Sequence, residues 1–290
     1  MSQRKTVGLV LGSGSSRGWA HIGAIEALEE EKIPIDYLAG CSIGSYVSAL
    51  YASGGLNSLK TFVLKMDGKK VFSFFDVVFP RSGILDATKK IHELFSIHTA
   101  AANFSDLKIP VMMVATDLET GEKVILKSGK LLDALRATMS VPGLFAPARV
   151  NNRWLVDGGL VDPVHVSVAR AMAADVVIAV ELNCGSASRK KTCKKTVYEE
   201  EKPIHEPRWY NSELMKKLVD YYENAEDSFT NKLNELLKKE SGTPDIIETV
   251  LTSLSILQTR ITRINLAVDP PDSFIQPRLG ELKMMAFDQV

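Results

Sequence analysis

The run Gly40-Cys41-Ser42-Ile43-Gly44 sets a serine between two glycines, each two positions away. That spacing suits a nucleophile on a sharp strand-to-helix turn, where small residues on either side let the chain pack tightly. The hydroxyl then stands at the N-terminus of the next helix, whose partial positive charge favours a developing anion. A nucleophile needs a base, and Asp157-Gly158-Gly159 follows the apolar run Trp154-Leu155-Val156. A glycine turn there would hold a carboxylate at a strand end, although carboxylates at such turns more often serve as caps. A third segment, Gly12-Ser13-Gly14-Ser15-Ser16-Arg17-Gly18, also follows an apolar run and opens a helix. Backbone N–H groups in such a loop can hold an anion with no side chain involved. The same loop could be a plain tight turn or a dinucleotide-binding loop. For the latter the third glycine falls one place late, at Gly18, and Asp36 stands ahead of a short strand rather than after it.

The elements that would carry these residues can be read from hydropathy. Val7–Leu11 reads as a buried strand, and Ala20, Ile22, Ala24, Ile25, Leu28 and Ile33 recur at near-helical spacing. Residues 35–39 read as a second strand and 43–52 as a helix ending at Gly54-Gly55. Further strands are expected at 111–117, 123–126, 154–156 and 175–182, the last almost continuously Val, Ile and Ala. Strand, loop, helix, strand, turn, helix is the order of an α/β sheet with mostly parallel strands, and near-unbroken apolar strands are expected where helices cover both faces. After Leu182 the composition changes. Residues 184–207 hold basic residues, then Glu199, Glu200 and Glu201, with Pro203 and Pro207, and read as a charged, solvated insertion. Two long helices are expected beyond it. One carries a stripe from Leu214 to Leu236, the other a stripe of Ile247, Val250, Leu251, Leu254, Leu257, Ile261 and Ile264. Such stripes face a core or cover a cleft. The expected organisation is a core at 1–183, the insertion at 184–207 and a helical region at 208–290 packing on the core, with 269–277 returning a last strand.

Composition bounds the function. Lys plus Arg and Asp plus Glu balance at 35 each, so no global field draws the protein to nucleic acid, and any attraction to a lipid surface must be local. Cys41, Cys184 and Cys193 form neither a disulfide framework nor a four-ligand metal pattern, which points to a reducing compartment, cytoplasmic, with no metal site. The first apolar run stops at Gly12, too short for a secretory h-region, and no stretch has the ~20 apolar residues a membrane span needs. Phe72, Phe74, Phe75, Val77, Val78 and Phe79 form a dense apolar cluster that reads as core or as an acyl-chain wall. Oligomeric state is not legible.

Taken together and in order, these pieces resemble the patatin-like phospholipases. The resemblance rests on G-S-G-S-S-R-G-W-A-H-I-G (12–23), G-C-S-I-G (40–44), S-V-P-G-L-F-A-P (140–147) and D-G-G (157–159), and runs over about 6–182. The stretch 256–277 resembles a bacterial subgroup of short, stand-alone members, similar to neuropathy target esterase. The resemblance implies a three-layer α/β/α sandwich and hydrolysis of lipid carboxylic esters by a Ser-Asp dyad with no cofactor. It implies Ser42 as nucleophile, Asp157 as base, the Gly14 and Ser15 amides as oxyanion hole, and Arg17 as the residue bracing that loop. Ser15 stands where glycine is common in the family, and a serine serves if its φ is negative. Peripheral contact with a membrane goes with a lipid ester substrate.

Three rivals follow from the same residues. An acyltransferase would use the same acyl-serine with an alcohol acceptor, and a non-catalytic regulator would keep only the fold. A Ser-Asp-His triad would need its histidine after the acid, which leaves His165 and His205. Neither is expected to be well placed, and His21 reads as a packing residue.

Overall fold

Val7–Leu11 carries no polar side chain and forms β1, buried along its whole length as a strand covered on both faces must be. The computed structural model, which describes residues 4–65, 76–77, 85–86, 88–183, 246–279 and 282, sets β1 near the middle of an eight-stranded sheet. In chain order there follow α1 (Ala20–Glu30), β2 (Tyr37–Cys41), α2 (Ile43–Ser53) and α3 (Leu56–Val63). A two-stranded ribbon, β3 (Asp76–Val77) with β4 (Leu85–Asp86), precedes α4 (Thr88–His98). Then come β5 (Val111–Asp117), β6 (Lys123–Leu126), α5 (Leu131–Thr138), β7 (Ala148–Val150) and β8 (Arg153–Asp157). The last described elements are α6 (Val166–Ala171), β9 (Val176–Val180), α7 (Ile246–Val268) and β10 (Ser273–Ile275).

Strand order is β10-β9-β1-β2-β5-β8-β7, with β6 also on β5. The first five of these run parallel, and β6, β7 and β8 pair antiparallel at the other end. Strand alternation sends Val10, Ala39, Cys41, Val114, Val177 and Ala179 to one face, where Val166, Val168 and Ala169 of α6 and Leu266 of α7 pack on them. Leu9, Leu38 and Met113 turn to the opposite face and are fully buried. There α2 and α5 lie against β2 and β5, which completes the three layers.

One register detail assembles the site. β2 pairs with β5 from Leu38 opposite Val111 to Cys41 opposite Val114. β8 takes over at the next position, with Asp157 opposite Ala115. Because β6 overlaps both stretches, β2 and β8 must share the other edge of β5 and meet there end to end. Their C-terminal residues therefore converge. Ser42 follows the end of one, and Asp157 is the end of the other.

The apolar runs predict most of these strands, but β2 begins two residues later than expected and runs through Cys41. The C-terminal helix differs more. α7 covers the predicted stripe and Leu251 is buried, yet Leu257 is 55% exposed and Ile264 65%. Ser255, Gln258, Thr259 and Thr262 are the buried ones instead. The reason is what α7 meets. Asn265 Nδ2 donates to the Val161 carbonyl and to Asp162 Oδ1, so alongside the sheet-facing contact of Leu266 the helix also lies on a polar loop. Residues 1–189 with 250–290 form one compact unit and 190–249 a second, of which 246–249 are described. The expected insertion, the stripe from Leu214 to Leu236 and most of the aromatic cluster at 72–79 lie outside the described residues.

Candidate active site

Gly40, Ser42 and Gly44 owe their spacing to three separate contacts. Ser42 sits at φ 56°, ψ −126°, a backbone region that costs a non-glycine residue about 1–3 kcal/mol. The turn is closed so tightly that a Cβ on Gly40 would lie 2.5 Å from Ser45 Cα, and one on Gly44 only 2.0 Å from the Leu11 carbonyl oxygen. Small residues are required on both sides because β1 and the start of α2 occupy the space.

The strained turn is held from a side the sequence reading did not single out. The Ser42 N–H donates to Thr138 Oγ1 at 2.9 Å, and Thr138 in turn donates to the Val114 carbonyl. With that proton committed, Ser45 Oγ donates to Thr138 Oγ1 at 3.2 Å. Thr138 is fully buried at the last turn of α5 and carries no sequence signal beyond its place ahead of Ser140. Ser140 holds the end of β8, since its carbonyl accepts from the Asp157 N–H at 2.9 Å.

Asp157 is buried, and the Ser42 hydroxyl donates directly to its Oδ2 at 2.5 Å. Oδ1 accepts from the Gly159 N–H at 2.7 Å, the cap of the short 3-10 turn Gly158–Leu160. Gly158 is small for a steric reason, because a Cβ there would meet the Val114 carbonyl oxygen at 2.3 Å. Burial pushes the Asp157 carboxyl up to about 6, against the opposing pull of the Ser42 and Gly159 hydrogen bonds. A carboxylate with an affinity raised into that range is a better proton acceptor near neutral pH.

The glycine loop after β1 packs on the same spot. A Cβ on Gly18 would lie 2.1 Å from Ile43 Cγ1, so the loop presses on the residue after Ser42. Gly12 is closed in by the Val180 carbonyl and Gly14 by Leu182, and the Gly12 N–H donates to that same carbonyl. The Gly14 amide has no acceptor among the described residues. Ser15 departs from expectation, since its φ is 51° rather than negative. The 3-10 turn Ser15–Trp19 starts there, and reversing the chain into it without a glycine forces the left-handed conformation.

Arg17 is buried and braces the loop through an intermediary. Its Nη1 donates to Asn183 Oδ1 at 3.1 Å, and Nε and Nη2 donate to the Leu282 carbonyl. Asn183 Nδ2 then donates to the Ser13 carbonyl at 3.2 Å. Burial lowers the Arg17 guanidinium from its ordinary value, with Glu181 opposing.

The histidines do other work. His21 shares a hydrogen bond with the Gly12 carbonyl at 2.8 Å, and burial pushes it down to about 4, so it holds the loop as a neutral ring. His165 is fully buried at the start of α6, and burial lowers its proton affinity against the pull of Asp162. Among the described residues no imidazole bonds Ser42 or Asp157, and no cluster of three or more His, Cys, Asp or Glu could hold a metal. His205 lies outside them.

These features meet their counterparts in known proteins. Residues 9–170 match the family model for patatin-like phospholipase. An uncharacterized NTE family protein of Mycobacterium tuberculosis is 37% identical over 186 residues, 64% of this chain and 51% of that protein. Human patatin-like phospholipase domain-containing protein 6 is 33% identical over 188 residues, 61% of this chain and 13% of its own. Lysophospholipase NTE1 of Pyricularia oryzae is 35% identical over 185 residues, 61% of this chain and 12% of its own. The chain thus spans about half the length of the mycobacterial relative and far less of the other two. With the glycine loop, the serine turn and the aspartate turn all inside the matched stretch, this chain belongs to the patatin-like phospholipase family.

Proposed function

We propose that this protein is a serine hydrolase of lipid carboxylic esters that works through a Ser42–Asp157 dyad. One observation carries the reading: a buried carboxylate with a raised proton affinity accepts directly from a serine hydroxyl on a strained strand-to-helix turn. Asp157 takes the Ser42 proton as Oγ attacks the ester carbonyl, and the carbonyl electrons move onto oxygen. The oxyanion is met by the Gly14 amide and by the N-terminus of α2, since the positive φ of Ser15 takes its amide out of the expected role. Collapse expels the alcohol, which leaves with the proton from Asp157. Water then attacks the acyl-Ser42 with Asp157 again as base, freeing the acid and the enzyme. Removing one oxyanion donor typically costs ~10²–10³ in rate. The substrate class follows from the family and from relatives named as phospholipase and lysophospholipase. No helix among the described residues is long and apolar enough to cross a membrane, so the lipid is met from outside the bilayer by these parts of the chain.

A fluorophosphonate probe tests this. Wild-type protein should be labelled at Ser42, and Ser42→Ala should not be labelled at all. The labelling rate should rise about tenfold from pH 5 to pH 7, as a base titrating near 6 ionises. An unlabelled wild-type protein, or label elsewhere than Ser42, sinks the proposal.

A further inference from the structure

Gln258 is a carboxamide buried on α7, a hundred residues beyond Asp157 and outside the stretch the family model matches. Its Oε1 lies 3.4 Å from Ser13 Oγ and 3.4 Å from Asn183 Nδ2, both donors. The same Asn183 amide donates to the Ser13 carbonyl and takes the Arg17 bond, so Gln258 closes the network that holds the glycine loop. The other end of the carboxamide lies against Gly159 of the aspartate turn. A Cβ on Gly159 would lie 2.4 Å from Gln258 Nε2 and 2.9 Å from Asp157 Oδ1. The second glycine of the aspartate turn is thus small here because a residue of the C-terminal helix fills its side-chain space. Asn265, two turns on, fixes α7 to the Val161 and Asp162 end of the same loop.

Building on the dyad reading, we propose that Gln258 is a positioning residue: its carboxamide spans the gap between the oxyanion loop and the aspartate turn and sets their separation. It touches no reacting atom. Its effect runs through Ser13 on one side and Gly159, whose N–H binds Asp157, on the other. The C-terminal helix is then a working wall of the site, which accounts for the inversion of α7. Ser255, Gln258, Thr259 and Thr262 are turned inward because the surface they meet is polar. Two bonds at 3.4 Å are long for hydrogen bonds, so the contact acts as a spacer more than as an anchor.

The titration of Asp157 by carbonyl ¹³C NMR gives a test that does not depend on turnover, with Asp157→Asn used to assign the signal. Among the described residues the Cys41 thiol on β2 interacts with Asp157 and also with Asp162, which is paired with Lys123. In Gln258→Glu a second carboxylate stands across Gly159, and the Asp157 midpoint should move up, lowering its acid constant at least threefold. In Gln258→Ala the ester hydrolysis kcat should fall about tenfold while KM stays within twofold, as expected for a displaced rather than a missing group. Gly159→Ala should be destabilised on its own and rescued in combination with Gln258→Ala, which opens the space; this arm stands even if Gln258→Ala alone folds poorly. An Asp157 midpoint unmoved by Gln258→Glu, or a Gly159→Ala defect not relieved by the second change, overturns the proposal. If the hydrolase reading itself is wrong, wild-type protein fails to label while the NMR shift and the rescue still appear, so the two failures are distinct.

Discussion

Two turns face each other across one edge of β5, and they hold their functional groups in opposite ways. At the end of β2, Ser42 is an ordinary neutral hydroxyl on a backbone forced into the left-handed region. At the end of β8, Asp157 has a relaxed backbone at φ −50°, ψ 132°, and its burden is electrostatic, a carboxylate kept out of water. One turn stores conformational strain and the other stores desolvation. The difference teaches that a nucleophile is made available by geometry, whereas a weak base is made effective by its surroundings.

The sharpest way to break the contrast is to add volume at the nucleophile's turn. Gly44→Ala places a methyl against the Leu11 carbonyl and should lower stability by ~3 kcal/mol or more in urea titrations. Gly23→Ala on α1, where a Cβ meets nothing within 4 Å, should instead raise it by ~0.5–1 kcal/mol. Equal effects would mean the elbow is not sterically closed.

Removing charge at the base's turn should act in the opposite direction on stability. The Asp157 affinity is raised from 3.8 to about 6 on folding, so the folded state binds more protons between those values. Wild-type stability from this group is therefore fully present below about pH 4 and lost as pH rises through 6, up to ~3 kcal/mol in all. Asp157→Asn stands in for the protonated acid and should be more stable than wild type above pH 6, with the gain shrinking to nothing near pH 4. A Tm difference independent of pH would remove the electrostatic half of the contrast. The smallest net effect belongs to Ser42→Gly, which relaxes the backbone by ~1 kcal/mol but takes a hydrogen bond from the buried Asp157 carboxylate, so its gain should shrink as pH rises through 6. A gain independent of pH would mean that the Ser42 hydroxyl does not hold the Asp157 carboxylate.

Local chemistry was legible in the sequence and long-range placement was not. The glycine-serine-glycine spacing encodes a steric demand within five residues, so the elbow could be read before any partner was known. The parallel strands were legible for a similar reason, since burial on both faces writes itself as unbroken Val, Ile and Ala. Asp157 was recognisable only as a carboxylate at a strand end, because its link to Ser42 depends on β8 entering the edge of β5 one position past β2, a register no local pattern states. Thr138 and Asn183 act through hydrogen bonds to distant segments and left no periodic trace. For α7 the rule itself misled. Ser255, Gln258, Thr262 and Asn265 recur as regularly as the apolar stripe, and only the polar loop beneath them decides which side turns in.

The end-to-end meeting of β2 and β8 has a kinetic consequence. The carboxylate arrives on the antiparallel hairpin β7–β8, more than a hundred residues after the hydroxyl, and non-local pairings of that kind form late because loop closure opposes them. A refolding chain can therefore regain its parallel strands and helices while its reactive pair is still apart. On the dyad reading proposed above, competence for ester hydrolysis marks completion of the fold, not its collapse.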